Sequence, residues 1–229
     1  MKMLILRRGR HFDQLRACVP IVRTKTRKYG QVLDEHWLPT KRDWMILGAN
    51  AAGKTRWLQR LHSQAPAIWR DKPALLLRAV DPIGAWTSDP RIKTYMEATS
   101  GQPWSKAKCW ERAEWLIRWA QAHHAVLLLD DAHHLAGRKL DIAQRLALVA
   151  GRLVTGASQE SRIPINLRMT LLQRDPVIET LKSDAAYDAT AVFLWLLILA
   201  AMGAGAWQLA AILGGMKFLG RGSRAARQT

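Results

Sequence analysis

Cysteine is almost missing from these 229 residues: Cys18 and Cys109 stand far apart and outside any C-x-x-C spacing. Neither a disulfide framework nor a zinc site is therefore indicated, and a reducing cytosol is the natural compartment. Acids are scarce too, with 18 Asp and Glu against 35 Lys and Arg and a formal charge of +17. Such an excess calls for an anionic partner, either nucleic acid or the acidic face of a membrane. No secretory signal is expected, because the apolar run Met3-Leu4-Ile5-Leu6 is far too short. Phe and Tyr number three each, whereas tryptophan numbers 11. Most tryptophans fall at apolar helical positions, which predicts core packing rather than base stacking.

What the chain does have is Gly48-Ala49-Asn50-Ala51-Ala52-Gly53-Lys54-Thr55, which fits G-x-x-x-x-G-K-[ST] at every fixed position. Trp44-Met45-Ile46-Leu47 before it reads as a buried strand. Lys54 to Gln64 after it carries Trp57, Leu58 and Leu61 at helical spacing. A strand, loop and helix in this order aim backbone N–H groups and a helix dipole at a polyphosphate. The expected ligands are ATP and Mg²⁺. Gly48, Ala49, Asn50, Ala51, Ala52 and Gly53 would cradle the phosphates, Lys54 would meet the β- and γ-phosphates, and the Thr55 hydroxyl would hold the metal. Asn50 is the loop residue best able to take a left-handed conformation. No guanine-reading N-K-x-D occurs, which favours adenine.

A second motif is Ala125-Val126-Leu127-Leu128-Leu129-Asp130-Asp131, an apolar run closed by two acids. It describes a strand buried on both faces whose tip delivers carboxylates to the ligand crevice. Asp130 is expected on Mg²⁺ and Asp131 on the attacking water. His123-His124 and His133-His134 do not form one metal site, because about nine extended residues hold the pairs roughly 30 Å apart. His133 is either a polar junction residue or a link from the nucleotide to the rest of the protein.

The remaining expectations follow hydrophobic periodicity. Arg7, Arg8, Arg10, Arg23, Lys25, Arg27 and Lys28 make residues 1–43 a basic arm, suited either to phosphates or to water. Val19 to Tyr29 in that arm partly alternates as a strand or hairpin. Pro73 to Val80 reads as a second sheet strand, and Asp81 to Pro103 as a broken loop with a short helix at Ile92 to Ala98. Ser105 is an expected N-cap for a helix to His124, burying Trp110, Ala113, Leu116, Ile117 and Ala120. Arg138 to Thr155 reads as a helix. Ile163 to Leu172 alternates as a strand beside the one preceding the phosphate loop, placing Asn166 or Thr170 near the γ-phosphate. Arg174 is either an arginine finger or part of a turn before a short helix, Val177 to Lys182.

These two motifs, with Ala132-His133-His134-Leu135 and Arg162-Ile163-Pro164-Ile165, resemble the AAA-type additional-strand P-loop ATPases, most nearly the helper ATPases of DNA transposition systems, over about residues 22–182. The resemblance implies Mg²⁺-dependent ATP hydrolysis with Lys54 and Asp131 as catalytic residues, DNA handling, and assembly into a homo-oligomer. Two departures stand out. Family members usually carry Glu where this chain has Asp131, and they carry a helical lid where this chain soon turns apolar.

Residues 189–216 form a 28-residue run without charge. As a helix it would be about 42 Å long, enough to cross a hydrocarbon core of about 30 Å. Lys217, Arg221, Arg224 and Arg227 follow, so Gly203-Ala204-Gly205 is either part of a single span or the bend of a re-entrant hairpin. Ala206, Ala210 and Gly214 make a small-residue face suited to helix pairing. The expected architecture is thus α/β: a three-layer P-loop NTPase with a parallel sheet, plus a C-terminal transmembrane helix. Its parts are a basic arm (1–43), the nucleotide domain (44–184), the membrane segment (189–216) and a basic tail (217–229). The expected setting is the inner face of the cytoplasmic membrane, with DNA or anionic lipid on the arm. A non-hydrolysing ATP-binding switch tethered to the membrane is the alternative.

Overall fold

Short apolar runs with β-branched and leucine-rich composition form the centre of the computed structural model, which describes residues 2–8, 18–25, 31–70, 72–181, 200, 203 and 205. Five of them, β4 (Trp44–Gly48), β5 (Ala74–Arg78), β6 (Val126–Asp130), β7 (Arg152–Ala157) and β8 (Val177–Leu181), pair in parallel in the order β5-β6-β7-β4-β8. Alternation along each strand sends successive side chains to opposite faces. Met45, Leu75, Leu77, Leu127, Leu129 and Leu153 enter one core, while Trp44, Ile46, Val126, Leu128 and Val154 enter the other. Each fully buried leucine contributes about 1.5–3 kcal/mol.

The first face is covered by α3 (Ile83–Trp86), α4 (Pro90–Ser100), α5 (Cys109–Ala122), α6 (Gly137–Val149) and α7 (Ile165–Gln173). The second is covered by α1 (Lys54–Ser63) and α2 (Ala65–Trp69) together with a small antiparallel sheet. That sheet contains β1 (Lys2–Arg8), β2 (Cys18–Lys25) and β3 (Val32–Trp37), with Leu4 opposite Val22. The result is an α/β fold with a five-stranded parallel sheet, an arrangement that matches a P-loop nucleotide-binding domain.

Several elements differ from the sequence reading. The stretch from Ile163 to Leu172 is not a strand: Ile165–Gln173 is helical, and Leu167, Thr170 and Leu171 face the core at helical spacing. The strands beside β4 are instead β8 and β7, and β7 begins within the range expected for one long helix, which stops at Val149. Val177–Leu181 is a strand, because it pairs with β4 over its whole length. Lys108, not Ser105, precedes α5, and Trp110 is half exposed on its outer side. α4 runs further than Ile92 to Ala98: Asp89 caps its N-terminus by accepting from Arg91 N, Pro90 fills the first position, and left-handed Gly101 ends it.

The N-terminal cations are partly engaged. Lys2 pairs with Glu179 at 2.9 Å and Arg23 with Glu35 at 2.7 Å, while Arg27 and Lys28 lie outside the described residues. Chain contacts divide the molecule into two units, Met1–Ser183 and Asp184–Thr229. The apolar run 189–216, apart from positions 200, 203 and 205, and all of 217–229 lie outside the described residues. Among the described residues no helix is long and apolar enough to cross a membrane.

Candidate nucleotide site

β4 ends at Gly48, where a Cβ would lie 2.6 Å from the Leu181 carbonyl oxygen, so only glycine lets β8 close against the start of the loop. The loop then turns through Ala49, with Ala52 N donating to its carbonyl at 3.1 Å. Left-handed backbone falls on Ala51 (φ 63°) and Gly53 (φ 92°), not on Asn50. Alanine adopts that conformation at a cost of about 1–2 kcal/mol, a strain that has to be held by its surroundings.

Helix α1 begins directly after Gly53, with no side-chain cap and no acid in its first turn. Its leading N–H groups are the ones an α-helix cannot satisfy internally, and they carry the positive end of the dipole. Lys54, in the first helical position, is only 5% exposed. Its ammonium donates to the carbonyls of Gly48 at 2.8 Å and Ala49 at 3.0 Å, which holds it over the loop.

Because β4, β6 and β7 are parallel and in register, the tip of β6 arrives at the same edge of the sheet as the loop. Asp130 is 1% exposed. One of its oxygens accepts from Asp131 N at 3.0 Å; the other is buried without a protein partner. Burial pushes the Asp130 carboxyl above the usual carboxylate range; the Thr55 hydroxyl beside it pulls the other way, and the Asp131 charge adds to the rise. Room for this carboxylate comes from Gly156 on β7, where a Cβ would lie 3.2 Å from Asp130 Oδ1.

Asp131 follows in a left-handed conformation (φ 54°) that turns the chain out of the sheet. It faces a cavity of about 550 Å³ shared with Asn50, Ala51, Gly53, Lys54, Thr55, Arg56 and His134. The structure thus brings the loop, the α1 N-terminus and the two acids together. The ligand chemistry fits: a buried, unpartnered carboxylate oxygen beside a threonine hydroxyl is a donor set for a hard divalent cation, and the uncapped helix end is a seat for phosphate.

Other predicted residues lie elsewhere. Asn166 and Thr170 sit on α7, where the Thr170 hydroxyl donates to the Asn166 carbonyl at 3.1 Å, and neither lines the cavity. Arg174 binds Asp43 and the carbonyls of Ala147 and Ala150, at the far end of the sheet from Lys54. His133 Nδ1 accepts from Ser158 N at 3.4 Å and so ties the tip of β6 to the tip of β7. Burial lowers its pKa below the usual 6.5, and the nearby His134 and Lys54 charges act in the same direction, with the Asp131 charge opposing. The described residues contain no group of three or more His, Cys, Asp or Glu placed to hold a metal.

Three residues at or beside the site carry no motif in the sequence: Arg56, Gly156 and Ser158. Ser158 follows β7, its hydroxyl buried and without a partner among the described residues. The signal for it was a polar residue after an apolar strand, and it was hidden while β7 was read as helix.

No protein-family model matches the chain, and no curated protein matches it. Among solved structures it is similar to the Orc1 protein of Aeropyrum pernix, in a complex with DNA, at TM-score 0.39 and 16% identity over 61% of this chain and 39% of that one. It is also similar to Cdc6p from Pyrobaculum aerophilum at TM-score 0.39 and 14% identity, over 61% of this chain and 38% of that one. The chain spans about two-fifths of the length of each.

Proposed function

We propose that this protein is a Mg²⁺-dependent ATP hydrolase of the AAA type that couples its nucleotide cycle to DNA handling, with residues 189–216 anchoring it to the cytoplasmic membrane. The observation that carries the nucleotide reading is the convergence at one edge of the sheet of Lys54, Thr55 and Asp131, which line one cavity, with the buried Asp130 beside Thr55. The strand order supports the AAA assignment, because β7 is inserted between the loop strand β4 and the acidic strand β6. In this reading the amides from Gly48 to Thr55 hold the phosphates, and Lys54 neutralises charge on the β- and γ-phosphates. Thr55 and Asp130 hold Mg²⁺, which would supply electrostatic stabilisation of the transferring phosphoryl group. Asp131 orients and deprotonates water.

The DNA role, of a mobile-element, plasmid or phage kind, rests on the net charge of +17 and on the resemblance carried by the two motifs. Turnover by the full-length protein in detergent, with and without DNA, tests the chemistry. Wild type should hydrolyse ATP, GTP should be a poorer substrate, and Lys54→Ala and Asp131→Asn should each lose at least 100-fold in kcat. A second reading is favoured by the residue at position 131. Aspartate is one methylene shorter than the usual glutamate, which suits a switch that binds ATP and releases it uncleaved. Tight ATP binding without turnover, even with DNA or liposomes present, selects that switch. For the anchor, full-length protein should sediment with membranes and resist extraction by salt; recovery in the soluble fraction without detergent removes it.

A further inference from the structure

A second cavity, of about 890 Å³, opens where β5 begins. β5 is an edge strand, and its first residue lies at the end of the sheet remote from Lys54. The cavity is walled by the end of α1, by α2, by α4 and by the last turn of α5 with the residue after it. Its volume is in the upper part of the range of about 300–1,000 Å³ usual for ligand sites.

None of its described lining residues is acidic, while His62, Arg70, Lys72, Arg91 and His123 are basic. Arg91 is already committed: it pairs with Asp89, donates to the Ala74 carbonyl and lies 5.2 Å over the Trp119 ring. Among the described residues the exposed Arg70 and half-buried Lys72 at the rim have no ion pair. Arg70 is held at φ 51° and ψ −107°, a sparsely populated conformation for a side-chain-bearing residue. Strain of this kind persists where the fold over-determines a position, and it concentrates at binding sites.

The wall is aromatic and fixed before any ligand arrives. His123 stacks on Trp119 at 5.0 Å and 30°, meets Tyr95 edge-on at 5.4 Å, and donates from Nδ1 to the Trp119 carbonyl at 2.9 Å. Trp119 itself is buried, so the exposed His123 and half-buried Tyr95 present the ring surfaces.

We propose that this cavity binds single-stranded nucleic acid, with a base packed on His123 and Tyr95 and the adjoining phosphates on Arg70 and Lys72. A flat π-surface next to cations without an ion pair among the described residues matches a base joined to a phosphate. An acidic peptide would satisfy the cations and leave the rings unused. A duplex keeps its bases stacked inside and offers none to a concave site. Binding should be tolerant of sequence, because stacking and phosphate contact do not read base edges. The proposal deepens the DNA part of the proposed function and rests on it.

The test is fluorescence anisotropy of labelled oligo-dT with the full-length protein in detergent, across a salt series. His123→Ala and Tyr95→Ala should each weaken binding about tenfold, with Tyr95→Phe restoring it. Lys72→Ala and Arg70→Ala should weaken binding and lower the slope of log affinity against log salt by about 0.7 each. Arg145→Ala on α6, where the arginine pairs with Glu114, should leave oligo-dT affinity unchanged, and nucleotide binding should survive in every variant as the check on folding. Wild-type protein that binds neither oligo-dT nor duplex DNA overturns the DNA reading and this site with it. Wild-type binding that all four alanine variants retain overturns this site alone. Tighter binding of polyglutamate than of oligo-dT, lost in the same variants, assigns the cavity to an acidic peptide and also overturns it.

Discussion

Arg174 and Asp43 form an ion pair at the end of the parallel sheet opposite the phosphate loop. Asp43 is buried, and its other oxygen accepts from Leu153 N at 3.0 Å, while its own carbonyl accepts from Val177 N at 2.8 Å. The guanidinium also caps the carbonyls of Ala147 and Ala150 at 3.1 and 3.0 Å, where α6 ends. One pair therefore pins β4, β7, β8 and α6 together.

Arg174→Ala leaves a buried carboxylate short of its cation and two carbonyls without a donor. It should cost about 2–3 kcal/mol of stability, read by urea denaturation. Turnover per folded molecule should change less than twofold. A finger acting on a neighbouring subunit would show the reverse pattern, normal stability with lost turnover.

Gly156→Ala places a methyl group 3.2 Å from Asp130 Oδ1 and 3.0 Å from Leu58 Cδ1. Overpacking of this size costs about 1–3 kcal/mol. Part of that cost should appear as displacement of Asp130, so Mg²⁺-dependent ATP affinity should fall about tenfold while metal-free nucleotide binding changes little. Titration calorimetry with and without Mg²⁺ separates the two effects.

Asp130→Asn removes a buried charge that has one unpartnered oxygen. The ligand-free protein should melt about 2–4 °C higher, as expected when an electrostatically costly functional group is neutralised. The additional stabilisation that Mg²⁺ gives in the presence of ATP should disappear. A lower melting temperature for the variant would show that Asp130 supports the empty fold.

His36 on β3 bonds Glu179 on β8 at 2.6 Å, and this hydrogen bond raises its pKa above 6.5, with burial opposing and the charges of Glu179 and Asp34 assisting. A raised folded-state pKa means that the stabilisation is complete below the unfolded value of about 6.5 and is lost as pH rises through the folded value. His36→Ala should therefore destabilise at pH 6 and be nearly neutral at pH 9, where Lys2 still holds Glu179. Denaturation midpoints at the two pH values check this, and an equal loss at both would assign His36 a packing role instead.

Much of the site was legible in the chain because its signals are local. The spacing from Gly48 to Thr55 and the acids closing an apolar run need only their neighbours to be recognised, and both landed on the expected elements. β7 was not legible. Leu153 and Val154 continue the helical spacing of Leu146, Ala147 and Ala150, and the break falls at Gly151. A Cβ there would lie 2.3 Å from the His124 carbonyl oxygen, a constraint set by a residue distant in sequence. α7 misled for a related reason: Ile165, Leu167, Met169 and Leu171 alternate, yet the helix is apolar on two sides, with Ile165 and Met169 exposed.

Residue order alone determined the phosphate-loop motif, the acidic strand tip, the excess of positive charge and the apolar run near the C-terminus, since each is a matter of local spacing or of composition. Tertiary structure decided that β7 lies between β4 and β6, that Arg174 braces the opposite end of the sheet, and that rings from α4 and α5 meet cations beside β5. Those outcomes depend on which strands exchange backbone hydrogen bonds and which carbonyls approach a glycine, and such pairings join residues as far apart in the chain as Trp44 and Val177.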